Sequence, residues 1–193
     1  MASPILYVSP SQANVQVPFE LAGQEQATVV ISSSTGVSDS LTMGVSAINP
    51  AAFLEVPPPD LTRCFAGGTA YGGWPLPVAF NSDGTRNSCA TPEASSKVTI
   101  FLNGLGATDT TVTGAITSSS APPSGPAVTV GELLNQYVAV SAPKAVPGVI
   151  SGVWQVDLEF LKDSPGASAI PLFVETSRGR VALRETSLTI WRR

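Results

Sequence analysis

The sequence contains no histidine, which excludes every chemistry that depends on an imidazole. Ser-His-Asp and Cys-His nucleophilic catalysis, histidine metal sites and imidazole acid–base catalysis all need that side chain. The chain also lacks a G-x-S-x-G nucleophile turn, a Walker-type phosphate loop and a cysteine pair at metal-binding spacing. We therefore predict a non-enzymatic protein with no catalytic residues and no cofactor.

Charge is also scarce, since charged residues make up only 12% of the chain and the net charge is −4. The ten basic residues are scattered, whereas a nucleic-acid interface needs clustered Lys and Arg. The nearest group is Arg178, Arg180 and Arg184, which we interpret as a solvated strand edge where charge deters edge-to-edge pairing. The composition predicts no nucleic-acid partner.

No apolar run approaches the length of about 18 residues that a membrane span needs, so no membrane span is expected. Residues 1–10 show neither the basic nor the apolar region of a signal peptide. Cys64 and Cys89 flank a Gly/Pro-rich stretch, and a disulfide there would close a loop of about 25 residues and stabilise the fold by roughly 3 kcal/mol. Such bonds form outside the cytosol. We predict a Cys64–Cys89 disulfide in an exported protein, extracellular or at the cell surface, whose signal peptide is not in this chain.

Helix-forming Glu, Lys and Leu are scarce, while Val, Thr, Ser, Ala and Gly dominate and Pro numbers 17. Short β-branched or alternating segments recur between turn residues, which is typical of an all-β immunoglobulin-like sandwich. The predicted strands are residues 13–17, 27–31, 41–48, 78–80, 98–102, 111–116, 128–130, 137–140, 153–161, 170–175, 181–184 and 188–191. The strands at 128–130 and 137–140 are expected to form a hairpin.

An internal repeat organises the chain. Gln12, Gly23 and Gly36 recur as Gln155, Gly166 and Gly179 at a constant offset of 143 residues, and the closing strands 40–43 and 187–190 match at an offset of 147. About 100 residues of strand-like sequence precede the second copy, but only residues 1–10 precede the first. The first copy therefore resembles the C-terminal half of a module whose first half is missing.

The repeat suggests three segments. Residues 1–49 form a partial immunoglobulin-like module, residues 50–77 a Pro/Gly-rich connection or insertion, and residues 78–193 an immunoglobulin-like β-sandwich module. Half a sandwich exposes an apolar face and unpaired strand edges, so it either completes itself against the second module, accepts a strand from a neighbouring chain or is a truncation. We expect residues 4–48 to pack on the second module.

Four motifs resemble an uncharacterised β-rich domain family found at the C-terminus of long exported acidobacterial proteins. Residues 9–18 resemble its SPxQxNxQVP signature, and residues 81–88 its NxDGxxNS turn. Residues 102–106 are similar to its TGLG strand end, and residues 147–156 to its PGxxGxxQV segment. The resemblance covers nearly the whole chain and implies tandem immunoglobulin-like modules with no assigned activity.

The chain departs from the family pattern at three places. Leu161 stands where the family has a proline, and the Cys-bearing segment before residue 77 is longer than the family's connection. The family's first module also begins upstream of the position that corresponds to Met1, which agrees with the half-module indicated by the repeat.

Two candidate sites lie in the Cys64–Cys89 loop or directly beside it. The aromatic residues Phe65, Tyr71 and Trp74, with Arg63 beside them, either stack on sugar rings or a protein partner or pack inward beneath the loop. Asn81, Asp83 and Asn87 offer oxygens that suit calcium, although a tight Asp-Gly turn needs no metal.

Asp157 and Glu159 lie two residues apart on one predicted strand face. A pair of carboxylates at this spacing fits an inverting glycosidase. The repeat places Asn14 and Gln16 at the equivalent positions, which favours a solvated sheet face instead.

These observations favour a structural or adhesion module that self-associates by strand complementation. The alternative is a carbohydrate-binding module that uses the aromatic loop at residues 64–89. The expected partners are other protein chains, including a homo-oligomer, or extracellular polysaccharide.

Overall fold

The protein is all-β, which confirms the predicted fold class. The computed structural model describes residues 1–55, 75–108, 111–118, 128–133, 138–161, 167–185 and 187–192. Within those ranges no helix is long and apolar enough to cross a membrane, and one short 3-10 helix spans Phe19–Leu21. The strands are β1 (Ile5–Val8), β2 (Ala13–Val15), β3 (Gln26–Val29), β4 (Ser32–Ser33), β5 (Gly36–Val37), β6 (Leu41–Gly44), β7 (Ala51–Ala52), β8 (Ala79–Asn81), β9 (Lys97–Asn103), β10 (Thr129–Glu132), β11 (Val138–Val140), β12 (Lys144–Ala145), β13 (Trp154–Phe160), β14 (Ala167–Ile170), β15 (Leu172–Thr176), β16 (Gly179–Ala182) and β17 (Leu188–Trp191).

A six-stranded sheet built on β9 and β13 forms one layer of the second module. These two strands pair antiparallel over six positions, from Trp154 opposite Leu102 to Glu159 opposite Lys97. β7 and β8 pair with the outer edge of β9, and β11 and β12 pair with the outer edge of β13. Side chains alternate between faces along each strand, so one face of the pair is apolar.

The second layer consists of β10, β15 and β16 in one sheet and of β14 with β17 in another. Pro171 separates β14 from β15, so one continuous segment pairs with β17 before the proline and with β10 after it. Pro171 has no backbone N–H to donate, so it interrupts the strand pairing at the point where the segment passes from one sheet to the other. The inward side chains of both layers form a single buried cluster drawn from residues 52–190.

Two sequence predictions about strands are wrong. β10 and β11 do not form a hairpin, because β10 pairs with β15 in one layer and β11 with β13 in the other. The predicted strand at 111–116 is a turn, in which Gly114 has a φ of +78° and the Ala115 N–H donates to the Val112 carbonyl. Only Ile116 makes a β-bridge there, with Ile150.

The first 49 residues are built differently from the second module. Among the described residues their strands form three separate pairs, β1 with β2, β3 with β6 and β4 with β5. Each pair is a two-stranded sheet, a size that is marginally stable alone.

Gly104 fixes the point where the segment before β7 meets the end of β9. Its φ is +70°, and a Cβ at this position would overlap the Asn49 carbonyl oxygen. The Asn49 N–H in turn donates to the Gly104 carbonyl over 2.9 Å. No side chain fits between these two backbones.

We predict that Gly104→Ala destabilises the protein more than Gly148→Ala does. Gly148 has a similar φ of +77° but open space around its Cβ position, so its substitution measures the backbone strain alone. That strain costs about 1–2 kcal/mol, and Gly104→Ala adds the collision with Asn49. Denaturant unfolding of both variants checks the difference, and equal losses of stability would contradict the close approach.

Candidate functional site

The predicted aromatic site falls outside the described residues. This applies to Arg63, Phe65, Tyr71 and Trp74, and also to Cys64. Cys89 is described and lies half-buried in the turn region after β8. The carbohydrate-binding interpretation and the Cys64–Cys89 disulfide therefore stay predictions.

The calcium candidates lie together but use their side chains in hydrogen bonds. The Asn87 amide donates to the Trp191 carbonyl over 2.7 Å, and its oxygen accepts from the Trp191 N–H over 2.9 Å. This pair of bonds imitates one rung of a β-ladder against β17. Asn87 also donates to the Asn81 side-chain oxygen over 2.8 Å. The turn after β8 is thereby joined to the last strand of the module.

Asp83 closes the same turn. One carboxylate oxygen accepts from the Thr85 N–H over 2.8 Å and from the Thr85 hydroxyl over 2.6 Å, and these bonds lower the pKa of Asp83. Across the described ranges, no group of three or more Cys, Asp or Glu is placed to hold a metal ion. Calcium binding stays a prediction, and the contacts that are present organise the turn.

Glu93 is a structural carboxylate that sequence reasoning missed. It is 2% exposed and accepts from the backbone N–H groups of Ser82 and Ser95, each over 2.6 Å, and from the Ser82 hydroxyl over 3.1 Å. Burial raises the pKa of Glu93, but these hydrogen bonds outweigh burial and leave the pKa below its usual value. A lone Glu after a proline gives no sequence signal for such a role.

Asp157 and Glu159 lie on the outer face of the six-stranded sheet. Asp157 accepts from the Thr99 hydroxyl over 2.7 Å and lies 3.6 Å from the Lys97 ammonium. Burial raises the pKa of Asp157, but hydrogen bonds from Thr99 and Gln155 and the charges of Lys97 and Lys144 together leave it below its usual value. Glu159 is exposed opposite Lys97. The arrangement is a cross-strand polar network of a solvated sheet face.

Arg180 lies on an edge strand of the second module. The Arg180 guanidinium stacks on the Phe173 ring, 4.3 Å from the centroid, and lies 3.7 Å from the Glu175 carboxylate. β16 is the outer strand of its sheet, so Arg180 places charge on an exposed edge.

The two copies of the repeat share a hairpin with the same register. Ser33 pairs with Gly36 in the first copy, and Thr176 pairs with Gly179 in the second. In each, the hydroxyl donates to the glycine carbonyl, over 3.3 Å from Ser33 and 2.9 Å from Thr176. The β3–β6 pair has the same place in chain order as the β14–β17 pair but a register that differs by two residues, since Leu41 lies opposite Val29 and its equivalent Leu188 lies opposite Ile170.

The apolar side chains of the two copies differ in burial. Seven large apolar residues of the first copy are 41–63% exposed, while their equivalents at offsets of 143 or 147 are at most 7% exposed. The pairs are Val15 with Leu158, Val17 with Phe160, Val29 with Leu172, Val30 with Phe173, Ile31 with Val174, Leu41 with Leu188 and Met43 with Ile190. We call these seven first-copy residues, which lie on β2, β3 and β6 or directly after β2 and β3, the uncovered face.

Polar contacts join the first copy to the second module. The Gln16 amide donates to the Ser151 carbonyl over 2.6 Å, and its oxygen accepts from the Gly114 N–H over 2.7 Å. Thr113 accepts from the Phe19 N–H over 2.9 Å and donates to Glu20 over 2.6 Å. These contacts fix one end of the first copy and leave the uncovered face exposed.

Comparison with protein-family models, curated proteins and solved structures finds no match for this chain. The resemblance to the acidobacterial family therefore stays an expectation. The candidate site with the largest structural support is the uncovered face, which the repeat indicates and the exposure of its residues defines.

Asn87→Ala should lower the free energy of unfolding by about 2–3 kcal/mol, because buried backbone groups of Trp191 lose their side-chain partner. Chemical denaturation measures the loss. Asn14→Ala is the matched control, since Asn14 is an exposed strand asparagine. Equal effects of the two substitutions would contradict the role assigned to Asn87.

Glu93→Gln should destabilise the protein by roughly 2 kcal/mol at pH 7, because the amide group presents N–H donors to the donors of Ser82 and Ser95. The pKa of Glu93 is lower in the folded protein than in the unfolded chain. The carboxylate therefore contributes fully to the free energy of unfolding above the unfolded pKa of about 4.3, and this contribution is lost as pH falls through the folded pKa. The difference in free energy of unfolding between wild type and the Glu93→Gln variant should therefore become smaller below about pH 4.

Urea unfolding at several pH values measures this gap. The exposed Glu159→Gln should stay within about 0.5 kcal/mol of wild type throughout. A Glu93→Gln gap that stays constant down to pH 2 would contradict the assigned hydrogen bonds.

Proposed function

We propose that this chain is a non-enzymatic extracellular structural or adhesion module, and that its first copy joins it to other protein chains. The observation that carries the proposal is the uncovered face. Burying apolar surface stabilises by about 25 cal/mol per Å², and many large apolar side chains exposed in one segment of a chain are typical of interaction sites.

The edges of the first copy support the same function. β1 contributes Ile5, Leu6, Tyr7 and Val8, all more than half exposed, to a strand without charge. Proteins that avoid edge-to-edge pairing place charge on such strands. The first 49 residues contain no Lys or Arg, and Val37 stands at the position of Arg180 in the second copy.

Strand complementation is the mode of association that this surface fits. An added strand satisfies backbone donors and acceptors at an open edge while its side chains cover an apolar face. Two first copies could also pack their apolar residues against each other, and this contact would give a homo-oligomer.

The proposed location rests on the sequence. The chain is poor in charge and rich in turn residues, and its two cysteines flank the Gly/Pro-rich segment. The lack of histidine and the structural use of Glu93 and Asp157 support a function without catalysis.

We expect light scattering after gel filtration, without reductant, to show a mass above 19.8 kDa that increases with protein concentration. Leu41→Ser with Met43→Ser should shift the protein toward monomer, because both substitutions make the uncovered face polar. Val112→Ser is the matched control, since Val112 is 57% exposed in the second module. A monomer at every concentration would contradict self-association, and an equal effect of Val112→Ser would contradict the assigned surface.

A further inference from the structure

The edge of β2 that faces away from β1 has no partner strand in the part of the chain that the structure describes. The equivalent strand of the second copy, β13, pairs with β11 and β12 on one edge and with β9 on the other. β1 occupies the edge of β2 that corresponds to β11 and β12. The position that corresponds to β9 is therefore open.

Backbone groups at this open edge point outward. The Gln16 N–H donates to the Pro4 carbonyl on the β1 side, over 2.9 Å. Because successive residues of a strand point their N–H groups to opposite edges, the Val15 N–H faces the open edge. The second copy shows the same alternation, since the Asp157 N–H donates to the Ser141 hydroxyl on the side away from β9.

Side chains on β2 fit a strand of the β9 type. At the offset of 143, Ala13 and Val15 correspond to Val156 and Leu158, which lie opposite Ile100 and Val98 of β9. Asn14 corresponds to Asp157, which accepts from Thr99 of β9. No charged residue lies on β2, so an apolar strand would bury no charge there.

We infer that the open edge of β2 is the docking site for an extended segment of another polypeptide that has branched apolar side chains at every second position, as β9 has. This inference rests on the proposed function and names its partner class. The segment runs antiparallel to β2 and forms the third strand of the sheet β1–β2, in the position that β9 has beside β13.

The donor is not the β9 of a second copy of this chain. Val98, Ile100 and Leu102 are 0% exposed, and β9 is paired on both edges within its own module. Releasing β9 would remove the centre of that core. A separate polypeptide segment has no such cost.

A synthetic peptide with the sequence of residues 95–105 tests the inference. We expect the labelled peptide to bind the full chain in fluorescence anisotropy at one peptide per chain and to raise its melting temperature. A control peptide with Val98→Ser and Ile100→Ser should bind about tenfold more weakly or worse. These changes lie in the peptide, so they leave the folding of the protein unaffected.

Val15→Pro locates the site on the protein. Proline removes the outward N–H of Val15 while the backbone bonds to β1 remain, so peptide affinity should fall by about tenfold or more. Val112→Ser should leave peptide affinity unchanged. Equal binding of both peptides, or binding that Val15→Pro does not weaken, would overturn the inference.

The solution mass measured by light scattering distinguishes failure of this inference from failure of the proposed function. Oligomers that break on Leu41→Ser with Met43→Ser, together with no specific peptide binding, would support association through the first copy and overturn the β9-type partner. A monomer that binds the peptide at β2 would support the docking site and contradict self-association. A monomer that binds neither peptide would contradict both.

Discussion

The antiparallel pairing of β9 with β13 is the interaction on which the rest of the second module depends. Both strands have seven residues, and their inward side chains are at most 6% exposed. The strands β7, β8, β11 and β12 add to its two edges, and β10, β14, β15 and β17 pack their apolar residues against its inner face. Without this pair neither layer would have an apolar surface to pack on.

The internal repeat separates what is local in this fold from what is long-range. The β4–β5 and β15–β16 hairpins share register and side-chain hydrogen bonds, although one lies in a packed module and the other does not. Both turns contain a Ser or Thr hydroxyl that donates to the glycine carbonyl and a glycine with positive φ, and these local features favour the turn in each copy. Burial differs because it depends on strands far away in sequence, and the described part of the first copy contains no counterpart of β9 or β10.

The candidate site follows from this contrast more than from any cluster of reactive groups. The carboxylates Glu93 and Asp157 accept hydrogen bonds from neighbouring strands and turns, and Asn87 holds the last strand. The polar groups of the second module thus stabilise its own fold. The first copy instead exposes apolar side chains and uncharged strand edges, the features that protein association uses.

Sequence patterns predicted a large part of the fold and little of the site chemistry. Period-two alternation identified β2, short apolar segments between turn residues identified β9 and β13, and the position of β17 was predicted to the residue. The hairpin expected from 128–130 and 137–140 was wrong, since adjacent apolar strands carry no signal for which layer each one joins. The role of Glu93 was missed because its donors, Ser82 and Ser95, are brought to it only by the turns around them.

The sequence by itself determined the all-β class, the repeat and the equivalence of β2, β4, β5 and β6 with strands of the second copy, because these depend on local backbone preference and spacing. The tertiary structure alone decided which of two equivalent apolar faces is buried. Val156 and Leu158 are fully buried in the cluster that the two layers of the second module form, while Val15 is 45% exposed where no opposing layer is described. The pattern of a strand specifies the face that prefers burial, and only the presence of a layer packed against that face determines whether burial occurs.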